Sequence, residues 1–364
     1  MRSSGFSIGV LLGLMLLSLS CVKETNTSSA QWDQTPYLLE KGSLPDPKLP
    51  SDNPLTVQKV RLGRMLFHEK KLSLDNSMSC ASCHRQEHAF SDTSRFSVGI
   101  HGLAGHRQSM AVFNMAWNDN GYFWDGRAEK LRDQSLMPIQ DSLELAEDLD
   151  NVVDKLSALT TYTDQFIRAF GSGQITAERM SLALEAFMLS IVSVNSRYDA
   201  YLRGEEILSD SEERGRALFF QEYNPFFPDQ SGADCAHCHS NLNFENDLYM
   251  NNGLNATGSS SADPGRGTVT QDPQDFGKMK VPSLRNVALT APYMHDGRFE
   301  TLDEVVEHYN DQVQNSPTLD PALAMTLPAG LLLSPQDKQD LVAFLNTLTD
   351  LDLPTEHTYS NPFE

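Results

Sequence analysis

The pattern C-x-x-C-H occurs twice in this chain of 364 residues, at residues 80–84 and 235–239. Two thiols at this spacing can form thioethers with the two vinyl groups of one porphyrin, and the adjacent imidazole then provides the proximal iron ligand. We therefore predict two covalently bound c-type haems, with His84 and His239 as proximal ligands. The thiols that would form the thioethers are those of Cys80, Cys83, Cys235 and Cys238.

Three other uses of paired cysteines fit this sequence less well. A zinc site would place its second pair about 15–20 residues after the first, whereas here the two pairs lie 155 positions apart. A thioredoxin-like redox motif would lie in an alternating β-α-β pattern, and neither copy does. Disulfides between neighbouring thiols would not require a histidine after each pair. Haem attachment remains the favoured interpretation.

The N-terminal residues have the features of an export signal. Residues 1–20 combine a basic start with an apolar run that is too short to span a bilayer. The four residues that end at Cys21 resemble a bacterial lipobox, although Ser18 stands where a larger aliphatic residue is usual. We predict a signal peptide over residues 1–20 and lipidation of Cys21, with plain secretion as the alternative. Both place the protein in the periplasm, and Val22 after Cys21 favours an anchor in the outer membrane of a Gram-negative bacterium.

Beyond residue 50 the chain repeats four short patterns in the same order: G-R-x-L-F, C-x-x-C-H, N-x-A and D-G-R. This self-similarity indicates an internal duplication. We predict a tether over residues 21–50, an N-terminal haem domain over 51–205, a C-terminal haem domain over 206–350 and a tail over 351–364. The four patterns lie at residues 63–67, 80–84, 114–116 and 125–127 in the first half and at 215–219, 235–239, 286–288 and 296–298 in the second.

The pattern of apolar residues predicts a mostly helical protein. Met180, Leu184 and Phe187 recur at helical spacing after Thr176, a suitable N-cap, and a second helix begins at Ser334 before a proline. No run of strand alternation stands out. The predicted fold class is all-α, with two cytochrome c-like domains that each hold one haem.

The formal net charge of −21 limits the range of partners. Nucleic acid is excluded as a partner because its affinity comes mainly from basic side chains. An acidic surface steers basic proteins toward it, although it also serves solubility alone.

These motifs resemble the bacterial dihaem cytochrome c peroxidase and MauG family over about residues 50–350. The most specific stretches are residues 123–128, 281–287 and 290–297, which read FWDGRA, VPSLRNV and TAPYMHDG. The resemblance implies that the N-terminal haem reacts with hydrogen peroxide. It also implies that the C-terminal haem is six-coordinate and transfers electrons or stores charge.

The resemblance assigns three further residues to peroxide chemistry. Gln134 and Glu144 match the distal-pocket pair, in which the carboxylate assists proton movement while the O–O bond breaks. Trp124 matches the tryptophan that lies between the two haems and relays electrons. The alternatives are a solvated acid for Glu144 and simple core packing for Trp124.

The distal ligand of the second haem divides the family into branches. Ordinary peroxidases have a methionine fourteen positions after the histidine of the P-Y-x-H-D-G motif, and this position is Tyr309 when counted from His295. MauG-type proteins have a tyrosine there. A thioether raises the iron potential, whereas a phenolate favours the higher oxidation state. Met294 and Met279 are rival ligands that do not match by position.

Two further family positions differ in this sequence. His101 lies near the removable distal ligand of ordinary peroxidases, but its flanking pattern is one residue longer, so we predict an open first iron. The family's calcium ion is bound by an asparagine side chain and two backbone carbonyls. Here the corresponding residues are Gln108, Thr290 and Pro292, and a calcium ion is predicted at this position.

The sequence therefore predicts a dihaem c-type peroxidase of the MauG-like or MbnH-like branch. Hydrogen peroxide would react at the first haem, and the oxidising equivalents would be shared through Trp124 with a His239/Tyr309 haem. The pair would then oxidise a tryptophan or tyrosine on a partner protein. One alternative is a cytochrome c peroxidase that uses electrons from a small donor cytochrome. An alternative of another class is a plain electron-transfer cytochrome. The only membrane contact predicted is the lipid anchor.

Overall fold

The computed structural model describes residue 1 and residues 29–256 and 262–364. Within these ranges the chain is mostly helical with little sheet, as predicted. Strand β1 (Tyr249–Met250) pairs antiparallel with β2 (Met279–Lys280). The α-helices of the described ranges are α1 (Val57–His68), α2 (Leu131–Gln140), α3 (Leu149–Ser157), α4 (Thr160–Phe170), α5 (Ala177–Ser190), α6 (Arg197–Leu202), α7 (Asp210–Phe220), α8 (Gly267–Thr270), α9 (Leu302–Glu307), α10 (Pro321–Thr326) and α11 (Pro335–Asn346).

The two predicted helix starts are confirmed. The Thr176 hydroxyl accepts a hydrogen bond from the backbone N–H of Arg179 at 3.2 Å, and α5 follows it. The Ser334 hydroxyl caps α11 through the N–H of Asp337 at 3.2 Å, with a proline in the first turn. Both caps satisfy N–H groups that have no partner inside the helix.

Each half is built on one close pair of helices that crosses at a glycine. A Cβ atom on Gly63 of α1 would lie 1.9 Å from the carbonyl oxygen of Ala183 in α5. A Cβ atom on Gly215 of α7 would lie 1.9 Å from the carbonyl oxygen of Asp340 in α11. Both glycines belong to the repeated G-R-x-L-F pattern, so the pattern allows the backbones of the two helices to come into contact.

A separate hydrophobic core surrounds each helix pair. The first core includes Phe67 and Phe187, whose ring centroids lie 5.3 Å apart. The second includes Phe219 and Phe344, at 5.2 Å. Each core also packs against the C-x-x-C-H motif of its own half, through Cys80 and Ala81 in the first and through Cys235 and Ala236 in the second.

The repeated N-x-A pattern adopts the same backbone conformation in both halves. Asn114 and Asn286 have φ values of 52° and 58°, in the left-handed region that asparagine tolerates. The Asn114 side-chain oxygen accepts from the N–H of Ser193, just beyond α5, and the Asn286 oxygen accepts from the N–H of Asp350, just beyond α11. Both bonds measure 2.8 Å. Each asparagine thus connects its turn to the chain that leaves the central helix pair.

The segment predicted as a tether packs on the first half in its described part. Leu44 is buried, and the indole N–H of Trp117 donates to the carbonyl oxygen of Pro45 at 2.8 Å. The backbone N–H of Asp33 donates to the carbonyl of Arg168 at the end of α4. Part of the segment predicted as a tether, residues 33–45, therefore contacts the folded first half.

The last residues also lie against the first half, far from the helices that precede them in sequence. The Tyr359 hydroxyl donates to the carbonyl of Ser190 at 3.1 Å, and its ring packs edge-on against Phe90 at 6.2 Å. The side chain of Gln86 donates to the carbonyls of Leu353 and Glu356. The segment predicted as a tail thus contacts the residues that follow the first C-x-x-C-H motif.

Most of the predicted signal peptide, together with Cys21, lies outside the described residues. None of the helices in residues 29–256 and 262–364 is long and apolar enough to cross a membrane.

Candidate active site

One cavity of about 880 Å³ reaches both C-x-x-C-H motifs. The cavity brings together the residues that the sequence predicts to act in haem binding and peroxide chemistry, although they come from both halves of the chain. His101 and His88 are not among its lining residues in the described ranges. The predicted site residues that line it are Cys80, Cys83, His84, Gln108, Trp124, Gln134, Glu144, Cys235, Cys238, His239, Thr290, Pro292 and Tyr309.

Both motif histidines are oriented by backbone carbonyl groups. Nδ1 of His84 lies 3.0 Å from the carbonyl oxygen of Phe90. Nδ1 of His239 lies 3.2 Å from the carbonyl oxygen of Phe244 and 3.1 Å from that of Pro282. A carbonyl requires a donor, so the proton is assigned to Nδ1, and the Nε2 lone pair is left available for a metal.

The donor set fits a c-type haem at each motif. Burial lowers the pKa of His84, and it lowers the pKa of His239 to about 4, so both imidazoles are neutral, as metal ligands must be. None of the four motif cysteines forms a disulfide. Each motif therefore offers two thiols and one neutral, oriented imidazole to the same cavity.

The predicted distal pair enters the cavity from one helix and the turn after it. Gln134 lies in α2, and Glu144 lies in the turn that follows, where the N–H of Glu144 donates to the carbonyl of Asp141 at 3.0 Å. Burial raises the pKa of the Glu144 carboxyl to about 7, the charge of Asp141 adds to this effect, and Arg127 opposes it. Near neutral pH this carboxyl can therefore both accept and release a proton.

A second segment fixes the backbone of Glu144. The N–H of Ile100 donates to the Glu144 carbonyl at 3.0 Å, and a Cβ atom on Gly99 would lie 2.1 Å from the carbonyl of Leu143. Glycine is needed here because the two backbones touch. His101 follows in this segment but is exposed to solvent, away from the cavity.

Trp124 lies where the two halves of the chain meet. Its indole N–H donates to the carbonyl of Gln108 at 2.8 Å, and its own carbonyl accepts from the N–H of Lys280 in β2 at 2.7 Å. Its ring packs edge-on against that of His295 at 6.4 Å. The indole is thus held by both halves and borders the cavity that both motifs share.

Tyr309 enters the cavity from a π-helical turn, His308–Gln312, that follows α9. Turns of this kind are frequent at functional sites. Its hydroxyl accepts a hydrogen bond from the side-chain amide of Asn252 at 3.4 Å, and burial raises the pKa of the phenol. Of the two rival ligands, Met294 contacts the same amide through its sulfur at 3.4 Å, and Met279 is buried in β2.

The three predicted calcium ligands also border the cavity. The side-chain amide nitrogen of Gln108 donates to the Ser91 hydroxyl at 3.0 Å and to the carbonyl of Asp92 at 3.2 Å, which fixes the orientation of the amide. No group of three or more His, Cys, Asp or Glu side chains in the described ranges could hold a metal ion. A calcium site here would therefore depend on amide and carbonyl oxygens, as predicted.

Sequence reasoning missed an ionic network beside Trp124. The Arg107 guanidinium bonds Asp125 of the first half at 2.6 Å and both carboxylate oxygens of Asp263 of the second half at 2.7 and 2.9 Å. Asp125 lies in the D-G-R pattern, so the repeated pattern pointed to one of the two partners of Arg107. Asp263 lies in a polar loop and carried no signal.

A buried ion pair behind the second motif was also missed. The Arg285 guanidinium makes two bonds to the carboxylate of Asp199, at 2.8 and 2.9 Å, and also donates to the carbonyl of Leu242. Arg285 belongs to the VPSLRNV stretch. A basic residue among apolar ones was the one sequence feature that could have indicated a buried ion pair there. The pair connects α6 to the loop that follows His239.

The chain is similar to dihaem peroxidases over most of its length. Residues 57–207 match the family described as di-haem cytochrome c peroxidase. The chain is 32% identical over 341 residues to the methylamine utilization protein MauG of Methylophilus methylotrophus, covering 92% of this chain and 94% of that protein. It is 32% identical over 302 residues to the cytochrome c551 peroxidase of Pseudomonas aeruginosa, covering 81% and 80%. The crystal structure of a MauG-like protein associated with microbial copper homeostasis matches with a TM-score of 0.77 at 33% identity, over 88% of this chain and 97% of that chain.

Proposed function

Because this chain belongs to the dihaem cytochrome c peroxidase and MauG family, and is a haem peroxidase, we propose that it uses hydrogen peroxide to oxidise a partner protein. The observation that carries the proposal is the tyrosine, Tyr309, at the cavity beside the second motif. An anionic oxygen ligand stabilises the higher oxidation states of iron and so suits a site that stores oxidising equivalents.

The two haems would be held by residues of the two repeated motifs. The thiols of Cys80, Cys83, Cys235 and Cys238 would carry the thioethers, and Nε2 of His84 and of His239 would face the irons. When bound, the haems would supply the two electrons that reduce hydrogen peroxide, and they would then store the two oxidising equivalents that result. The carbonyls of Phe90, Phe244 and Pro282 keep both imidazoles in the tautomer that this role requires.

Glu144 would move the protons in the peroxide reaction. Its carboxylate accepts a proton from one peroxide oxygen and returns a proton to the other, which leaves as water. A pKa near 7 suits both directions of transfer at neutral pH. Gln134, on α2 beside it, would orient the peroxide through its amide.

Trp124 would connect the two sites. An indole is among the side chains most easily oxidised, and this one is held by hydrogen bonds at both its ring and its backbone. A fixed ring needs little rearrangement when it loses and regains an electron. We propose that Trp124 passes electrons between the two halves of the cavity.

The test replaces the proposed tyrosine ligand by the methionine of ordinary peroxidases. In the wild-type protein, addition of peroxide should produce a near-infrared charge-resonance band, and reduced cytochrome c should support only slow turnover. Tyr309→Met should abolish the band. Fast peroxide turnover with reduced cytochrome c in the wild type, unchanged in Tyr309→Met, would show that the partner-oxidising proposal is wrong.

The second candidate is a cytochrome c peroxidase that removes peroxide with electrons from a small donor cytochrome. It is favoured by the similarity to the Pseudomonas aeruginosa cytochrome c551 peroxidase, at the same 32% identity as to MauG. A plain electron-transfer cytochrome is the third candidate. It requires two six-coordinate irons, so a high-spin ferric signal from one haem would count against it.

Three further features complete the proposal. We propose that the two haem domains, residues 51–205 and 206–350, arose by duplication, and the matching turns at Asn114 and Asn286 support this. We propose a periplasmic location with a lipid anchor at Cys21. We also propose a calcium ion at Gln108, Thr290 and Pro292, which is supported by the fixed amide of Gln108.

A further inference from the structure

One asparagine contacts both side chains that compete for the second haem site. The side-chain amide nitrogen of Asn252 lies 3.4 Å from the hydroxyl oxygen of Tyr309 and 3.4 Å from the sulfur of Met294. An amide nitrogen carries two hydrogens, so it can donate to both acceptors at once. All three side chains line the cavity that contains Cys235 and Cys238.

The main chain around Asn252 is tied to the turn that carries Tyr309. The carbonyl oxygen of Asn252 accepts a hydrogen bond from Nε2 of His308, the residue before Tyr309, at 2.9 Å. The carbonyl of the next residue, Gly253, accepts from the N–H of Gln314 at 2.8 Å. The backbone of residues 252–253 is therefore bonded to the chain on both sides of Tyr309, which keeps Asn252 next to that residue.

The neighbouring residues make this attachment rigid. The side-chain amide of Asn251 donates to the hydroxyls of Ser316 and Thr318 at 3.1 and 2.9 Å. Gly253 has a φ of 68°, and a Cβ atom there would lie 2.5 Å from the side chain of Val313. His308 is buried, with 3% of its surface exposed. Residues 251–253 are thus held against the turn by hydrogen bonds and close packing.

A donor in this position acts differently on the two possible ligands. A hydrogen bond to an anionic phenolate oxygen is charge-assisted and is stronger than one to a neutral thioether. The donor therefore favours the phenolate as ligand, while its second hydrogen holds the sulfur of Met294. This contact could not be predicted from the sequence, since Asn252 lies in a polar loop.

We propose that Asn252 is a positioning residue that selects the oxygen of Tyr309, and not the sulfur of Met294, as the distal ligand of the second haem. The proposal deepens the proposed function and rests on it. It assigns the difference between a MauG-like site and an ordinary peroxidase site to two residues, the tyrosine and the asparagine that donates to it.

The test compares Asn252→Leu with Asn255→Leu in the haem-loaded protein. Leucine keeps a branched side chain of similar size but donates no hydrogen bond. Asn255 lies in the same segment, but its amide oxygen accepts from Arg298, and it does not line the cavity. The ferric spectrum of Asn252→Leu should show the ratio of phenolate-bound to thioether-bound haem lowered by about tenfold or more, the effect of one charge-assisted hydrogen bond. Asn255→Leu should match the wild type.

A double variant identifies the competing ligand. Addition of Met294→Leu to Asn252→Leu should remove the thioether signature. Phenolate bands of wild-type strength in Asn252→Leu would overturn the proposal.

If Asn252→Leu fails to fold, the proposal is tested on the wild-type protein. Resonance Raman spectra should show the phenolate C–O stretch shifting in D₂O, because the N–H donor exchanges. Absence of a shift would overturn the proposal. Tyr309→Phe separates this inference from the proposed function. If Tyr309→Phe removes phenolate bands that the wild type shows, Tyr309 is the ligand, even if the experiments on Asn252 overturn its role. If the wild type has no such bands, both proposals are wrong.

Discussion

Two acidic side chains that face the same cavity, Glu144 and Tyr309, have different surroundings, and we propose different roles for them. Burial raises the pKa of Glu144 to about 7, which suits a group that exchanges protons at neutral pH. Burial raises the pKa of the Tyr309 phenol as well, so the group is protonated until a metal ion takes the place of the proton. The family resemblance pointed to both residues in the sequence. It could not locate Asn252, which contacts Tyr309 only after the chain folds.

Glu144→Gln should slow the reaction with hydrogen peroxide by about 100-fold or more, since amides do not accept protons. In the wild type the carboxylate is the active form, so the rate constant should fall as the pH drops below about 7. The variant should show no such dependence. Stopped-flow absorption of the haem bands measures both effects. Glu129→Gln, an exposed residue, serves as the control. A wild-type pH profile in Glu144→Gln would exclude this role.

The repeated patterns specify the same local structures twice. The glycines of G-R-x-L-F allow two helices to touch, and the asparagines of N-x-A adopt the same left-handed conformation. Phe90 and Phe244, whose carbonyls orient His84 and His239, also share this conformation, with φ of 58° and 55°. Periodicity and caps were enough to predict α5 and α11. The short β1–β2 pair was not predicted, because two residues per strand leave no alternation to detect.

Gly63→Ala and Gly215→Ala should each lower the free energy of unfolding by about 1–3 kcal/mol, since a methyl group would overlap a carbonyl oxygen of the facing helix. Chemical denaturation followed by circular dichroism measures this. Gly173→Ala is the matched control, because its nearest neighbour would lie at 3.4 Å, an ordinary contact. Equal stability of the three variants would contradict the role given to the repeated glycine.

The whole molecule is held together by contacts between segments that are distant in sequence. Arg107 joins the halves through Asp125 and Asp263, and the backbone of Trp124 bonds β2. The C-terminal segment returns to the first half through Tyr359. The family, the helical class and the residues facing the cavity were predictable from motifs. These long-range contacts were not, because single charged or aromatic residues do not reveal their partners in a sequence.

Tyr359→Ala should lower the stability of the first half by about 3 kcal/mol, as expected for truncation of a buried aromatic side chain. The loss should appear in the haem signal of the first half, because Tyr359 packs against Phe90, whose carbonyl orients His84. Thermal unfolding monitored at the haem bands tests this. Phe363→Ala is the control, since that ring is half exposed. Identical melting of the two variants would refute the contribution of this segment.

The central claim is that one chain holds two irons of unequal character, one open to peroxide and one closed by the oxygen of Tyr309. Electron paramagnetic resonance of the oxidised, haem-loaded protein tests this most directly. We expect one high-spin and one low-spin ferric signal in equal amounts, with the low-spin signal of the phenolate-bound haem lost in Tyr309→Phe. Two low-spin signals in the wild type, or an unchanged low-spin signal in Tyr309→Phe, would contradict the account.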